Sequence, residues 1–159
     1  ATEEDWTNHL STLFPQVRLK QYLELRSMDA CSWGQICGQP AFWVGLLYDA
    51  DCLDEVYELV SKWTNEDRFY LYNNVPKYGL QTEFKNTKVL DIAKKVLTIS
   101  SKGLHKRKRF SKDGYDERKY LEKVENNLDK GLCPADILIK KYNNKWNKSI
   151  DPIYEEHIF

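Results

Sequence analysis

The apolar run at residues 41–47 limits most strongly how this chain can fold. It reads Ala-Phe-Trp-Val-Gly-Leu-Leu, follows Pro40 directly and has no polar side. Proline is favoured in the first turn of a helix, and a helix that is apolar all round has to be buried. We therefore predict a helix that starts at about residue 40 and lies at the centre of the core, with Phe42 and Trp43 among the least exposed side chains.

Helical spacing of apolar residues continues through most of the remaining chain. It recurs over residues 53–63, 89–99 and 120–128, which predicts amphipathic helices there. Gly103 is a candidate cap for the end of the second of these helices. We expect helices from about residue 40 to 157, so the chain should be predominantly helical.

Several residues mark where the later helices start and stop. Thr64 followed by Asp67 has the pattern of a capping box, which predicts a helix start. Gly131 is typical of a helix end, and Pro134 of the first turn of the next helix. A last short helix is predicted in the tail after Pro152.

Length and composition predict one folded unit. The chain has 159 residues with 42% hydrophobic and 13% aromatic content, which suits a single core without an internal boundary. The longest apolar stretch is far shorter than the roughly 20 residues that cross a bilayer. No secretion signal opens the chain, and its acidic start without an initiator methionine suggests that Ala1 is an internal or processed position. We expect a soluble, cytoplasmic protein with no membrane partner.

The overall charge argues against nucleic-acid binding. Lys plus Arg and Asp plus Glu number 24 each, so the formal net charge is zero, and any polyanion site has to be local. Residues 102–109 are the dense basic run of the chain. They are interpreted as a solvated helix end whose cations complement the helix dipole, with a polyanion or an acidic partner as the alternative.

The cysteines give no zinc-site pattern. Cys31, Cys37, Cys52 and Cys133 include no C-x-x-C pair, so free and mostly buried thiols are the expected state. Cys37 and Cys52 flank the predicted central helix, which leaves a redox disulfide between them as the alternative.

Residues 17–26 alternate strictly between apolar and polar side chains, which predicts one strand. Its aliphatic face should enter the core, so we expect Leu23 and Leu25 to face the helices. Glu24 and Arg26 should lie side by side on the polar face, where a metal-binding carboxylate next to a phosphate-binding guanidinium would suit ATP. The face is either the solvated side of an edge strand or a row of ligands. In the second case its other members are candidates for binding substrate or phosphate: Arg18, Lys20 and Tyr22.

Five ordered segments of this chain resemble glutamate-cysteine ligases of the type shared by plants and many proteobacteria. The similarity is to the C-terminal part of those enzymes and covers nearly the whole chain. The segments are residues 11–29, 40–49, 75–80, 134–136 and 149–154.

The resemblance implies a fold, an activity and a site. It implies the C-terminal portion of a glutamine-synthetase-like α+β fold, in which antiparallel strands form a funnel and this chain supplies one or a few of them. It implies the first step of glutathione biosynthesis, in which ATP phosphorylates the side-chain carboxylate of glutamate and the cysteine amine displaces phosphate to give γ-glutamylcysteine. By resemblance, Glu24 is a ligand of Mg²⁺ and Arg26 is the catalytic residue that contacts the transferred phosphate.

We expect this chain alone to be inactive. Mg²⁺ prefers an octahedral oxygen shell, and by resemblance its other ligands and the nucleotide-binding segments lie upstream. The expected partner is therefore the missing N-terminal part of the same ligase. The alternative is a non-catalytic helical binding module derived from that ligase.

Overall fold

The structure is a computed structural model that describes residues 1–29 and 31–157. It consists mainly of helices with two small antiparallel strand pairs, in agreement with the predicted α+β class. The chain divides into two compact units, Ala1–Ala30 and Cys31–Phe159, where the sequence predicted no internal boundary. The described residues of the first unit include none that is buried, because so short a segment cannot enclose a core of its own.

The first unit contains one helix and one hairpin. Helix α1 (Glu3–Ser11) begins with a capping box between Thr2 and Asp5. Strands β1 (Val17–Leu19) and β2 (Leu23–Leu25) pair antiparallel.

The prediction of one strand over residues 17–26 was therefore wrong. The register pairs Arg18 with Glu24 and Leu19 with Leu23, so even-numbered residues face even-numbered ones across the pair. Side-chain alternation then continues unbroken through the turn, which is why a period of two cannot distinguish one strand from this hairpin. Leu23 is 65% exposed, so it does not enter a core as we expected.

The second unit is built from helices and a two-stranded hairpin. In chain order its regular elements are α2 (Trp33–Leu47), α3 (Ala50–Val60), α4 (Asn65–Tyr78), β3 (Glu83–Phe84), β4 (Thr87–Lys88), α5 (Val89–Arg107), α6 (Glu122–Asp129), α7 (Pro134–Asn144) and α8 (Ile153–Glu156). Two short 3₁₀ turns, Gly79–Gln81 and Glu117–Leu121, follow α4 and precede α6.

Helices α2 and α5 form the centre of this unit, and residues of both helices pack in two clusters of buried side chains. One cluster joins α5 to the segment around α6 and contains Leu97, Leu104, Leu121 and Leu128. The other joins α2, α3 and α5 and contains Leu46, Cys52 and Ile99. The apolar stripes read from the sequence therefore do face one another.

The start and the burial of the central helix differ from the prediction. Helix α2 begins at Trp33, and Pro40 lies inside it. Proline removes a backbone donor and costs about 3 kcal/mol inside a helix. Tertiary packing of the residues just before and just after Pro40 nevertheless holds α2 together. Gly38 is buried against the Tyr120 backbone on one side, and Phe42 packs against the core on the other.

Residues 41–47 are not buried all round. Leu46 is 2% exposed, whereas Leu47 is 41% exposed, and Phe42 and Trp43 are only partly buried. Within the second unit, residues of α2 pack against both core clusters, but the helix is not enclosed on every side. An apolar sequence on every side predicted complete burial, which the described residues of the second unit do not provide.

Most of the predicted helix boundaries are confirmed. Thr64 and Asp67 form the capping box of α4, Gly131 has a positive φ just after α6, and Pro134 opens α7. Gly103 is an exception, as is the start of α2, since α5 continues past Gly103 to Arg107. None of the described helices is both long enough and apolar enough to cross a bilayer.

Candidate functional site

The polar face of the first hairpin brings two arginines to one carboxylate. Arg18 in β1 lies opposite Glu24 in β2, and its Nε donates to Glu24 Oε2 at 2.7 Å. Arg26 follows β2, and its Nη1 lies 3.4 Å from the same oxygen. Glu24 and Arg26 are thus side by side, as the alternation predicts. Arg18 joins them from the neighbouring strand rather than from further along one strand.

Backbone pairing and an aromatic ring fix the position of Arg26. Its backbone N–H donates to the Gln16 carbonyl at 2.9 Å, which extends the hairpin pairing by one step. Its guanidinium lies over the Phe14 ring, 4.9 Å from the centroid, a cation–π contact. The sequence alone does not single out Phe14. Its proximity to Arg26 follows only from the hairpin register, which places residues 14–16 next to the end of β2.

The two guanidiniums favour the ionised form of Glu24. The hydrogen bond from Arg18 is the largest cause that lowers the pKa of the Glu24 carboxyl, and Arg26 contributes less. All three side chains are partly exposed. With two cations and one anion, the cluster carries a net positive charge that suits an oxyanion ligand.

Lys20 and Tyr22 do not join this cluster. Both lie in the turn between β1 and β2, where the Lys20 N–H donates to the Tyr22 carbonyl at 2.9 Å. Tyr22 is 62% exposed. The structure therefore shows side-chain contacts among Arg18, Glu24 and Arg26. Among the described residues it shows no hydrogen bond or ion pair from the side chains of Lys20 and Tyr22 to these three.

The basic run at residues 102–109 is largely occupied by ion pairs within the second unit. Lys102 Nζ lies 2.8 Å from Glu55, and Lys106 Nζ lies 2.8 Å from Asp49. The Arg107–Glu117 pair, at 2.8 Å, is a further contact of this kind. The run thus ties α5 to α3 and to the 3₁₀ turn before α6. Most of its basic residues are exposed at the C-terminal end of α5, as expected for a solvated helix end whose cations complement the helix dipole.

The cysteines form no disulfide in the part of the chain that the structure describes. All four are free thiols, and Cys52 is fully buried. Burial raises the pKa of the Cys52 thiol, and Asp49 raises it further, so its reactive thiolate form is disfavoured. Within residues 1–29 and 31–157, no group of three or more His, Cys, Asp or Glu side chains could hold a metal ion.

Comparison with known proteins identifies the family. The model of glutamate-cysteine ligase family 2 matches residues 1–156. The chain is 43% identical over 158 residues to glutamate–cysteine ligase A, chloroplastic, of Oryza sativa subsp. indica, a match that covers 99% of this chain and 31% of that protein. It is 43% identical over 155 residues to the chloroplastic enzyme of Arabidopsis thaliana, covering 98% of this chain and 28% of that protein.

A third relative shows the same partial coverage, which limits what can be inferred about this protein from its relatives. The chloroplastic enzyme of Medicago truncatula is 39% identical over 158 residues, covering 99% of this chain and 30% of its own length. This chain therefore spans about a third of the curated relatives that it matches. Their names place them in the chloroplast, which does not match the cytoplasmic location expected from the sequence. Because the family model matches almost the whole chain, this protein belongs to glutamate-cysteine ligase family 2.

Proposed function

We propose that these residues are part of an ATP-dependent ligase that joins the side-chain carboxylate of glutamate to the amine of cysteine, giving γ-glutamylcysteine. The observation that carries the proposal is the cluster of Arg18, Glu24 and Arg26 on one hairpin face, in a chain that belongs to this ligase family. Phosphoryl transfer depends mainly on positioning and charge neutralisation. A guanidinium next to a fixed carboxylate can both position the phosphoryl group and neutralise its charge.

In this proposal Arg26 contacts the phosphoryl group that is transferred to glutamate. Its contact with Glu24 is at the long end of the hydrogen-bond range, at 3.4 Å, so its donors can turn to an oxyanion at little cost. The planar guanidinium can then bind two phosphate oxygens at once. Lys20 and Tyr22, in the turn, are proposed only as outer contacts to substrate.

The donor atoms of Glu24 fit one position of a Mg²⁺ shell. Oε2 is held by the two arginines, and Oε1 accepts no hydrogen bond from the residues that the structure describes. One carboxylate oxygen is far from a complete octahedral set, so the other ligands have to come from outside these residues. A bound Mg²⁺ would neutralise phosphate charge there, with Glu24 as one of its protein ligands.

The partner and the compartment are also proposals. The relatives are about three times as long as this chain, so we propose that an N-terminal part of the same ligase supplies the remaining ligands and the nucleotide site. A cytoplasmic location stays a prediction for this protein, because the word chloroplastic in the relatives' names describes those relatives.

Two substitutions in the full-length ligase test the proposal. Glu24→Gln and Arg26→Gln should each lower kcat for γ-glutamylcysteine formation by about 10²- to 10³-fold, the usual cost of losing one group that stabilises transition-state charge. Phosphate release with ATP, glutamate and cysteine is the assay. Glu58→Gln is the matched control, because this exposed carboxylate in α3 has no ion pair among the described residues.

The same assay decides between the two functions. Wild-type turnover in both site variants would show that the active site lies elsewhere. A full-length protein with no turnover at all would favour the alternative, a non-catalytic module that keeps the ligase ancestry.

A further inference from the structure

The hydrogen bonds from the two arginines to Glu24 differ in length. Arg18 is on a strand that pairs with the strand of Glu24, and its Nε is 2.7 Å from Oε2. Arg26 lies beyond the end of β2 and is 3.4 Å from that oxygen. A charge-assisted hydrogen bond is normally about 2.7–2.9 Å long, so only the Arg18 contact has the length of a strong one.

We propose that Arg18 is a positioning residue that neutralises Glu24 and thereby releases Arg26 to bind an oxyanion of the substrates. The inference rests on the proposed function, which places an anionic substrate at this face. It replaces the view of Arg18 as a substrate ligand with a role that acts through Glu24.

The charges of the cluster give the reason. When Arg26 turns to an arriving anion, its contact with Glu24 weakens. Without Arg18, the Glu24 carboxylate would then be left without a cation beside that anion, and like charges at close range repel. With Arg18 in place the carboxylate stays paired, so Arg26 can be shared with the ligand.

The backbone supports this division of roles. The cross-strand pair fixes Arg18 and Glu24 relative to each other on one face, as expected for a partner that orients a functional group. Arg26 is steadied by the Phe14 ring instead. A cation–π contact allows the guanidinium to rotate in its plane without losing its partner, because the attraction acts through the face of the ring.

Binding measurements on the full-length ligase test the proposal without turnover. The probes are a non-hydrolysable ATP analogue and L-glutamate, each titrated separately by calorimetry without added metal, because the oxyanion is either a nucleotide phosphate or the substrate carboxylate. Arg26→Gln identifies which probe it holds, by an expected loss of affinity of about tenfold or more for that probe.

Arg18→Gln is then measured in two backgrounds. In the wild-type background it should weaken the same probe about tenfold, because Glu24 then retains Arg26. In the Glu24→Gln background it should change affinity less than twofold, because no charge remains to be neutralised. Arg18→Lys, which keeps a cation opposite Glu24, should stay within about threefold of wild type, and melting curves confirm that each variant is folded.

Other outcomes overturn the inference in recognisable ways. An equal loss from Arg18→Gln in both backgrounds means that Arg18 contacts the anion itself. No loss in either background means that Arg18 does not assist binding. If Arg26→Gln weakens neither probe, the anion site of the proposed function is at fault, rather than the role of Arg18.

Discussion

The backbone of Gly103 in α5 packs directly against the backbone of Gly45 in α2. A Cβ atom on Gly103 would overlap the Gly45 carbonyl, and one on Gly45 would overlap the Ser100 carbonyl. The Ser100 hydroxyl also donates to the Phe42 carbonyl at 2.8 Å. Side chains at the contact set how closely two helices approach, so the two glycines let α2 and α5 meet backbone to backbone.

Gly103→Ala should therefore destabilise the chain although alanine is the better helix former. The added methyl group has only backbone atoms in its way, which cannot move aside as a flexible side chain would. Overpacking of this kind typically costs about 1–3 kcal/mol. Urea unfolding monitored by circular dichroism measures the change.

Gly34→Ala is the matched control for that substitution. Gly34 also lies in a helix, but a Cβ there would only make ordinary contacts of 3.8 and 3.9 Å with Lys123. Helix propensity should dominate, so the variant should gain about 0.5–1 kcal/mol. Two substitutions with the same sign would contradict the close approach of α2 and α5.

This contact also shows what the sequence could not predict. Gly103 near the end of an apolar stripe has the pattern of a helix cap, and nothing local distinguishes that from a glycine needed for close packing. The difference depends on Gly45, which is far away in the sequence. The capping box at Thr64 and Asp67 was predictable because both of its partners lie within one helical turn.

In the candidate site, too, the local contact could be predicted from the sequence and the contact across the hairpin could not. The alternation of side chains on an extended strand predicts that Glu24 and Arg26 are neighbours, and the structure places their side chains in contact. The pairing of Arg18 with Glu24 across the hairpin does not follow, because it depends on where the chain turns. The turn at residues 20–22 contains neither glycine nor proline, so the usual turn signal is absent.

The C-terminal segment depends on Trp146, which is 5% exposed. Its Nε1 donates to Glu156 at 3.0 Å, and Lys141 Nζ lies over its ring. Trp146→Ala should cost about 3 kcal/mol or more, as for other buried aromatic residues. Trp33→Ala removes the same side chain at a position that is 71% exposed and should change stability by about 0.5 kcal/mol at most. Equal losses in thermal or urea unfolding would rule out an anchoring role for Trp146.

Glu156 should make stability depend on pH below neutrality. Hydrogen bonds from Lys145, Lys141 and Trp146 lower the pKa of its carboxyl to about 2, whereas an unfolded chain has a value of about 4.3. Because the folded pKa is the lower one, the unfolded state binds the proton more readily, and the stabilisation is lost as pH falls from about 4.3 toward 2.

Glu156→Gln tests this by comparison of melting temperatures at several pH values. The variant should melt below wild type at pH 6, and the gap should narrow steadily below about pH 4.3. Glu155→Gln changes an exposed neighbour that has no ion pair among the described residues, and it should show no such trend. A gap that stays constant down to pH 3 would mean that Glu156 does not contribute through its charge.

The basic run should not bind RNA appreciably. Lys102, Lys106 and Arg107 are each paired with a carboxylate at 2.8 Å, and a phosphate backbone would have to displace these partners. Fluorescence anisotropy of labelled RNA at about 50 and 200 mM salt, where phosphate contacts weaken strongly, should show no salt-dependent binding. Glu55→Gln frees Lys102 and should increase any residual signal. Strong, salt-sensitive binding by the unaltered chain would restore the polyanion hypothesis.

The 159 residues alone should make no γ-glutamylcysteine. Glu24 offers one carboxylate oxygen, and the described residues provide no group of three ligands for a metal ion, so these residues alone cannot complete the Mg²⁺ shell that the proposed phosphoryl transfer needs. The assay is phosphate release with ATP, glutamate and cysteine, with the full-length ligase as positive control. Adding the separately produced remainder of the ligase should restore turnover only when Glu24 and Arg26 are intact. Robust turnover by the 159 residues alone would place a complete active site within them and contradict the proposed dependence on the rest of the ligase.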